Sequence, residues 1–222
     1  DLFPDRLVES ELGEIPEGWG VSTLGEVSAY LNRGISPKYV ESDGVLVLNQ
    51  KCIRDFSIDF TKARRHDAAQ RKIDGRALEL GDVLVNSTGV GTLGRVAQVL
   101  RLPEATIVDS HVTVVRSGSR TNAAYLGGYM GMKQPEIEAM GEGSTGQTEL
   151  SRTKLGSLKI LLPTNEVLEC FAKQTKPVSE MIVGSQQDSE SLTQLRDTLL
   201  PRLISGELRV PDAEAFLRER GL

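Results

Sequence analysis

Cysteine and histidine are scarce in this 222-residue chain: Cys52, Cys170, His66 and His111 are the whole supply. They lie too far apart for the usual zinc spacings, so no metal site is expected, and so few cysteines suit a reducing, cytoplasmic setting. No run of 18 apolar residues and no signal peptide occurs, so nothing points to a membrane or to export. Catalytic signatures are missing as well. No serine sits in G-x-S-x-G, and no D/N-P-P-[FY] or methyl-donor motif is present, which argues against an enzyme and against a cofactor.

What is present suits a globular chain long enough to bury a core, with 39% hydrophobic residues and 22 glycines for its turns. The net charge of −5 argues against a polyanionic partner, but the charge is unevenly spread and the total is a poor guide to any one surface. Residues 1–50 carry 3 basic and 9 acidic groups, whereas residues 51–76 carry 8 and 4. Lys51, Arg54, Lys62, Arg64, Arg65, Arg71, Lys72 and Arg76 form that basic segment. A charge run is usually a solvated face. Its confinement to one segment of an acidic chain makes it a candidate phosphate-facing surface, with Arg33 and Lys38 of the preceding loop beside it.

Trp19, the only tryptophan, follows Ile-Pro-Glu-Gly and reads as the anchor that starts a domain. Thr23 with Glu26 three residues on forms a capping box, which predicts two helical turns over residues 23–31. Residues 44–48 and 82–85 read as strands, and residues 107–115 and 155–162 as one strand each. Between two of these lies Gly89-Val-Gly-Thr-Leu-Gly94, which matches the phosphate-cradling G-x-G-x-x-G, with Asp109 twenty residues later. That fingerprint needs a following helix. Residues 95–102 are rich in β-formers and stop at Pro103, so the stretch reads as strand, glycine loop, antiparallel strand, without nucleotide binding. Residues 125–140 are helix-compatible, and Gly141-Glu-Gly-Ser-Thr-Gly-Gln-Thr148 is a polar loop. Asn86, Ser87 and Thr88 before the glycine loop, and Ser144, Thr145, Gln147 and Thr148 here, are candidates to meet base edges, although turn residues also serve their own backbone.

The C-terminal third is organised around a helix. Pro163-Thr-Asn-Glu opens it with a capping signature, and Ser205-Gly206 closes it before Glu207. Val178, Ile182, Leu192, Leu195, Leu199 and Leu203 fall on one face. Helical throughout, about 40 residues would span on the order of 60 Å, more than one domain of this size covers, so a helical partner is expected. Pro177 predicts a break between a short helix ending near Thr175 and a longer one, and Pro201 a kink. The expected organisation is α+β: a mixed or antiparallel-sheet domain over residues 1–163, a coiled-coil-type spacer or dimerisation helix over 164–208, and a tail over 209–222.

Together these stretches resemble the DNA-specificity subunits of type I restriction–modification systems. The resemblance rests on Ser10-Glu-Leu-Gly-Glu-Ile-Pro-Glu-Gly-Trp19, Gly81-Asp-Val-Leu-Val-Asn-Ser-Thr-Gly89 with Gly94-Arg95, Gly143-Ser-Thr-Gly-Gln-Thr148, and Leu192-Thr-Gln-Leu-Arg-Asp-Thr-Leu-Leu-Pro-Arg-Leu-Ile-Ser-Gly-Glu-Leu208, in that order. It implies a target-recognition domain and one spacer helix, half of a subunit that normally carries two of each. It also implies double-stranded DNA as ligand, methyltransferase subunits and through them a restriction subunit as partners, and a homodimer or second recognition half on the helix. The chain starts at Asp1, which reads as a cut, and the C-terminal half of a longer subunit is expected over a naturally short form. The alternative is a coiled-coil assembly adaptor with no DNA role.

Overall fold

The computed structural model describes residues 2–142, 148–209 and 218–219. It divides into two compact units, residues 1–176 and 177–222. At the centre of the first is the strand Val83–Asn86. Its apolar residues do not alternate with polar ones, because both faces are covered: Val83 and Val85 enter one core, with Leu126, Met130, Leu155 and Ile160, and Leu84 enters a second, with Leu48, Ile53, Val108 and Val114. Burying each such side chain is worth about 1.5–3 kcal/mol. The strand pairs antiparallel with Val96–Gln98 on one side and Val112–Ser117 on the other, and Ser28–Arg33 completes the order 96–98, 83–86, 112–117, 28–33.

A second four-stranded sheet runs 106–108, 45–48, 64–66, 39–40, with its first pair parallel and the others antiparallel. Lys159–Leu162 pairs with Gly20–Thr23, and a hairpin joins Leu7–Ser10 to Gly13–Pro16. The class is α+β, as expected. Within the glycine loop, Gly89, Gly91 and Gly94 all take positive φ, and the Gly94 N–H returns to the Asn86 carbonyl at 2.8 Å. The glycines make a turn between antiparallel strands.

Several element expectations are corrected. The capping box at Thr23 and Glu26 forms, but its helix is the single turn Leu24–Val27, because residues 28–33 are taken into the sheet by 112–117. The strand expected over 107–115 is two, Thr106–Val108 and Val112–Ser117, divided by a turn in which the Asp109 carboxylate accepts the His111 N–H at 2.9 Å. The region 155–162 starts as a helix, Arg152–Gly156 capped by Ser151, and only then becomes the strand Lys159–Leu162. Residues 125–140 form two helices, Ala123–Met132 and Gln134–Ala139, the second admitting Pro135 in its first turn.

The C-terminal helix runs from Asn165 to Ile204 and contains both Pro177 and Pro201, so the expected break at 175–177 does not occur. Its first turns belong to the first unit. Val167 and Leu168 are buried there, Phe171 meets the Tyr125 ring edge-on at 5.9 Å, and Asn122 donates to the Leu168 carbonyl at 2.8 Å. The first unit therefore reaches past residue 163. At the far end Gly206, at φ +74°, donates to the Leu203 carbonyl and terminates the helix at the Ser-Gly signal. Among the described residues no helix is long and apolar enough to cross a membrane.

Candidate nucleic-acid interface

The strand Ser28–Arg33 delivers Arg33 to one end of the central sheet, and Gly34 then turns the chain tightly against its neighbours. The Gly34 N–H donates to the Val112 carbonyl at 3.0 Å and the Ile35 N–H to the Val108 carbonyl at 3.2 Å. A Cβ at position 34 would collide with the carbonyl oxygens of Val108 and Asp109, so only glycine fits. Three arginines gather on the backbone fixed in this way. Arg33 pairs with Glu149 at 2.7 Å and donates to the Leu150 carbonyl at 2.8 Å. Arg76 donates to the carbonyls of Arg33 and Gly34 at 3.3 and 3.4 Å. Arg152, from the first turn of its helix, donates to the Asn32 side chain at 2.5 Å. With Ser151 and Glu149 they line an open depression of about 390 Å³. Arg71 donates to the Ser36 carbonyl, two residues beyond Gly34, at 3.1 Å.

The same end of the sheet carries a polar row. Thr88 shares a hydrogen bond with His111 Nδ1 at 2.7 Å, and its backbone bridges to Glu149. In the second sheet, Arg64 lies over the Tyr39 ring, 3.5 Å from its centroid. Burial pushes the Asp109 carboxyl above its ordinary range, against the lowering effect of His111, and burial followed by Asp109 raises the Tyr39 hydroxyl. His66 is wholly buried and ties the basic segment to the preceding loop: Nδ1 accepts the Lys38 N–H at 3.0 Å, so Nε2 carries the proton to the Arg71 carbonyl at 2.8 Å.

The structure brings only some of the expected site residues together. Arg33 lines the depression, Thr88 lies in the polar row, Arg64 lies in the second sheet, and Lys38 is exposed on the intervening loop. Lys51 and Lys62 are exposed on two short 3-10 turns, where Lys62 pairs with Asp59 at 3.1 Å. Arg54 sits beside Asp55 at the tip of the hairpin Ile53–Ile58. Arg65 is committed elsewhere. It holds Glu104 through two bonds of 2.7 and 2.8 Å, and Arg65 lowers the Glu104 carboxyl in return.

Asn86 and Ser87 are corrected outright. Both are completely buried, Asn86 donating to the Gln50 carbonyl at 3.1 Å and Ser87 bonded to Thr113, so neither can reach a base edge. Thr148 is half-buried, while Ser144, Thr145 and Gln147 lie outside the described residues. The gathering of Arg76 and Arg152 around Arg33 was missed. Arg152 is 120 positions from its partner Asn32, a distance no local pattern spans.

In the second unit, Val178 (56% exposed), Ile182 (43%) and Leu192 (61%) are open, Leu195 and Leu203 are half-buried, and Leu199 is 9% exposed. Met181, Leu200 and Ile204 are exposed as well.

No family model matches the chain. It is 25% identical over 207 residues to the putative type I restriction enzyme MjaX specificity subunit of Methanocaldococcus jannaschii, covering 90% of this chain and 49% of that one. It is 24% identical over 212 residues to the MjaIX specificity subunit of the same organism, covering 90% and 46%. Over 84 residues, 36% of this chain and 18% of the other, it is 29% identical to the HindI specificity subunit of Haemophilus influenzae. Among solved structures, the fold matches the type I restriction–modification S subunit of M. genitalium with a TM-score of 0.61 at 14% identity, covering 85% of this chain and 46% of that one. It matches the HsdS subunit of Thermoanaerobacter tengcongensis at 0.56 and 18%, covering 93% and 49%. The chain spans about half the length of the M. jannaschii relatives.

Proposed function

We propose that this chain, a relative of the type I restriction enzyme specificity subunits, is a non-catalytic DNA-recognition module that reads one half-site of a duplex. The observation that carries this reading is similarity running through 90% of the chain, domain and helix alike, to subunits twice its length. The region described above suits the task chemically. Arginine and lysine at Arg33, Lys38, Arg64, Arg76 and Arg152 are suited to phosphates, which position a protein but carry no sequence. Thr88 and Thr148, and in sequence Ser144, Thr145 and Gln147, are of the types that pair with base edges in the major groove.

In this reading the long helix is spacer and docking surface. Its open residues Val178, Ile182 and Leu192 would meet a second recognition half, from another copy or another segment, or the methyltransferase subunits that bring a restriction subunit with them. Catalysis would belong to those partners, acting on the genome in the cytoplasm. The reading is tested by fluorescence anisotropy of a labelled mixed-sequence duplex across a salt series. Binding that weakens with salt, with a log–log slope of about −0.9 for each phosphate neutralised, is expected. No binding at low salt, with self-association intact, would favour a helical adaptor instead.

A further inference from the structure

We infer that the depression between Arg33, Arg76 and Arg152 seats one backbone phosphate of a DNA duplex, and that the Glu149 carboxylate occupies this seat in the free protein. The inference rests on the DNA-binding reading above and adds to it the position of one phosphate contact and a built-in competitor for it. A carboxylate and a phosphodiester each present two oxygens to the fork of a guanidinium, so the group that now faces Arg33 at 2.7 Å is a chemical stand-in for the ligand.

The three cations are held in advance, two of them by residues 32–34 and Arg33 itself by the Leu150 carbonyl. Arg76 is held by the carbonyls of Arg33 and Gly34, and Arg152 by the Asn32 side chain. Side chains already held this way lose little freedom on binding. The depression of about 390 Å³ is open to solvent and is lined by three arginines and one glutamate, which leaves an excess of positive charge for an anion.

Glu149 is placed to leave. Its side chain is 60% exposed, and an ion pair that open to water is weak. Its backbone stays anchored by a reciprocal pair with Glu142, at 2.8 and 3.0 Å, so only the side chain has to swing. Until a duplex phosphate displaces it, Glu149 keeps Arg33 neutralised and lowers the adhesion of the free protein to arbitrary DNA.

The experiment measures affinity of the full chain for a random-sequence duplex across salt, for wild type, Glu149→Gln, Arg152→Gln, Arg33→Gln and the Arg33→Gln/Glu149→Gln double variant. Glu149→Gln should bind about threefold to tenfold more tightly, since it removes a competitor and a charge of the same sign as the ligand. Arg152→Gln should flatten the salt slope by about 0.9. In the Arg33→Gln background the gain from Glu149→Gln should shrink to the smaller part due to removing a like charge, because the competition acts through Arg33.

Wild-type binding with an unchanged or weakened Glu149→Gln overturns the inference, and so does an Arg152→Gln slope equal to wild type. If Arg33→Gln does not fold, those two exposed positions decide alone. A wild type that binds no duplex overturns the DNA reading itself, and the inference with it. Inorganic phosphate that stabilises the wild type against heat as strongly as duplex does, and not Arg152→Gln, would identify a free-anion site and overturn the duplex assignment.

Discussion

Replacing Gly34 by alanine should damage the domain and the basic depression together. The new Cβ would fall on the carbonyl oxygens of Val108 and Asp109, which are backbone atoms and cannot rotate aside. Relief requires residues 33–36 to move outward, which breaks the Gly34 bond to Val112 at 3.0 Å and the Ile35 bond to Val108 at 3.2 Å. Losing two backbone bonds at about 1 kcal/mol each, with strain in a packed interior, amounts to roughly 2–4 kcal/mol. For a unit of this size that lowers the midpoint of thermal unfolding by on the order of 10 °C.

The same movement displaces Arg33 and the carbonyls that hold Arg76, so duplex affinity should fall even where the domain remains folded. Fluorescence of Trp19, which belongs to the first unit, reports the unfolding, and anisotropy at a temperature below both transitions reports the binding. An alanine variant with wild-type stability and wild-type affinity would show that the loop is not held as described.

Two further outcomes are expected. Burial pushes the Cys52 thiol up to about 11 from an ordinary 9.0, so in native protein an alkylating reagent at neutral pH should modify Cys170 and spare Cys52 until the domain unfolds. Because the folded value is the raised one, Cys52 destabilises only at high pH: its contribution holds below about 9 and is lost as pH climbs from there towards about 11, which Cys52→Ala should abolish in alkaline melts. On the helix, changing Leu192 and Leu203 to aspartate should remove self-association or methyltransferase docking while far-UV circular dichroism stays constant, since each leucine buried in a seam contributes about 1.5–3 kcal/mol. Equal sedimentation of variant and wild type, alone and with methyltransferase subunits, would place the docking face elsewhere.

Local signals carried much of the fold. The Val83–Asn86 strand and its glycine turn were legible because apolar continuity and positive-φ glycines are local, and the helix end at Ser205-Gly206 for the same reason. The cost of Pro177 taken by itself favours a break. One lost helical bond is cheaper than two new helix ends, each leaving four backbone groups unpaired, so the helix continues through it.

Asn86 and Ser87 misled in the opposite direction. Polar residues at a strand end read as loop, yet here they continue the buried sheet, Asn86 donating to the Gln50 carbonyl and Ser87 bonded to Thr113. The basic segment was visible as composition. Which of its members gather around Arg33 depends on chain crossings such as the 117-residue separation between Arg33 and Leu150, and these no spacing rule encodes.

The central claim is sequence-specific duplex recognition by this half-length chain, and selection from a random duplex pool tests it most directly. Repeated capture and amplification with the purified chain should enrich one short half-site. At physiological salt, each base pair changed in that site should cost about 1–3 kcal/mol, while binding to scrambled duplex stays weak. A pool that remains random after selection, with equal affinity for every duplex tried, would contradict the account.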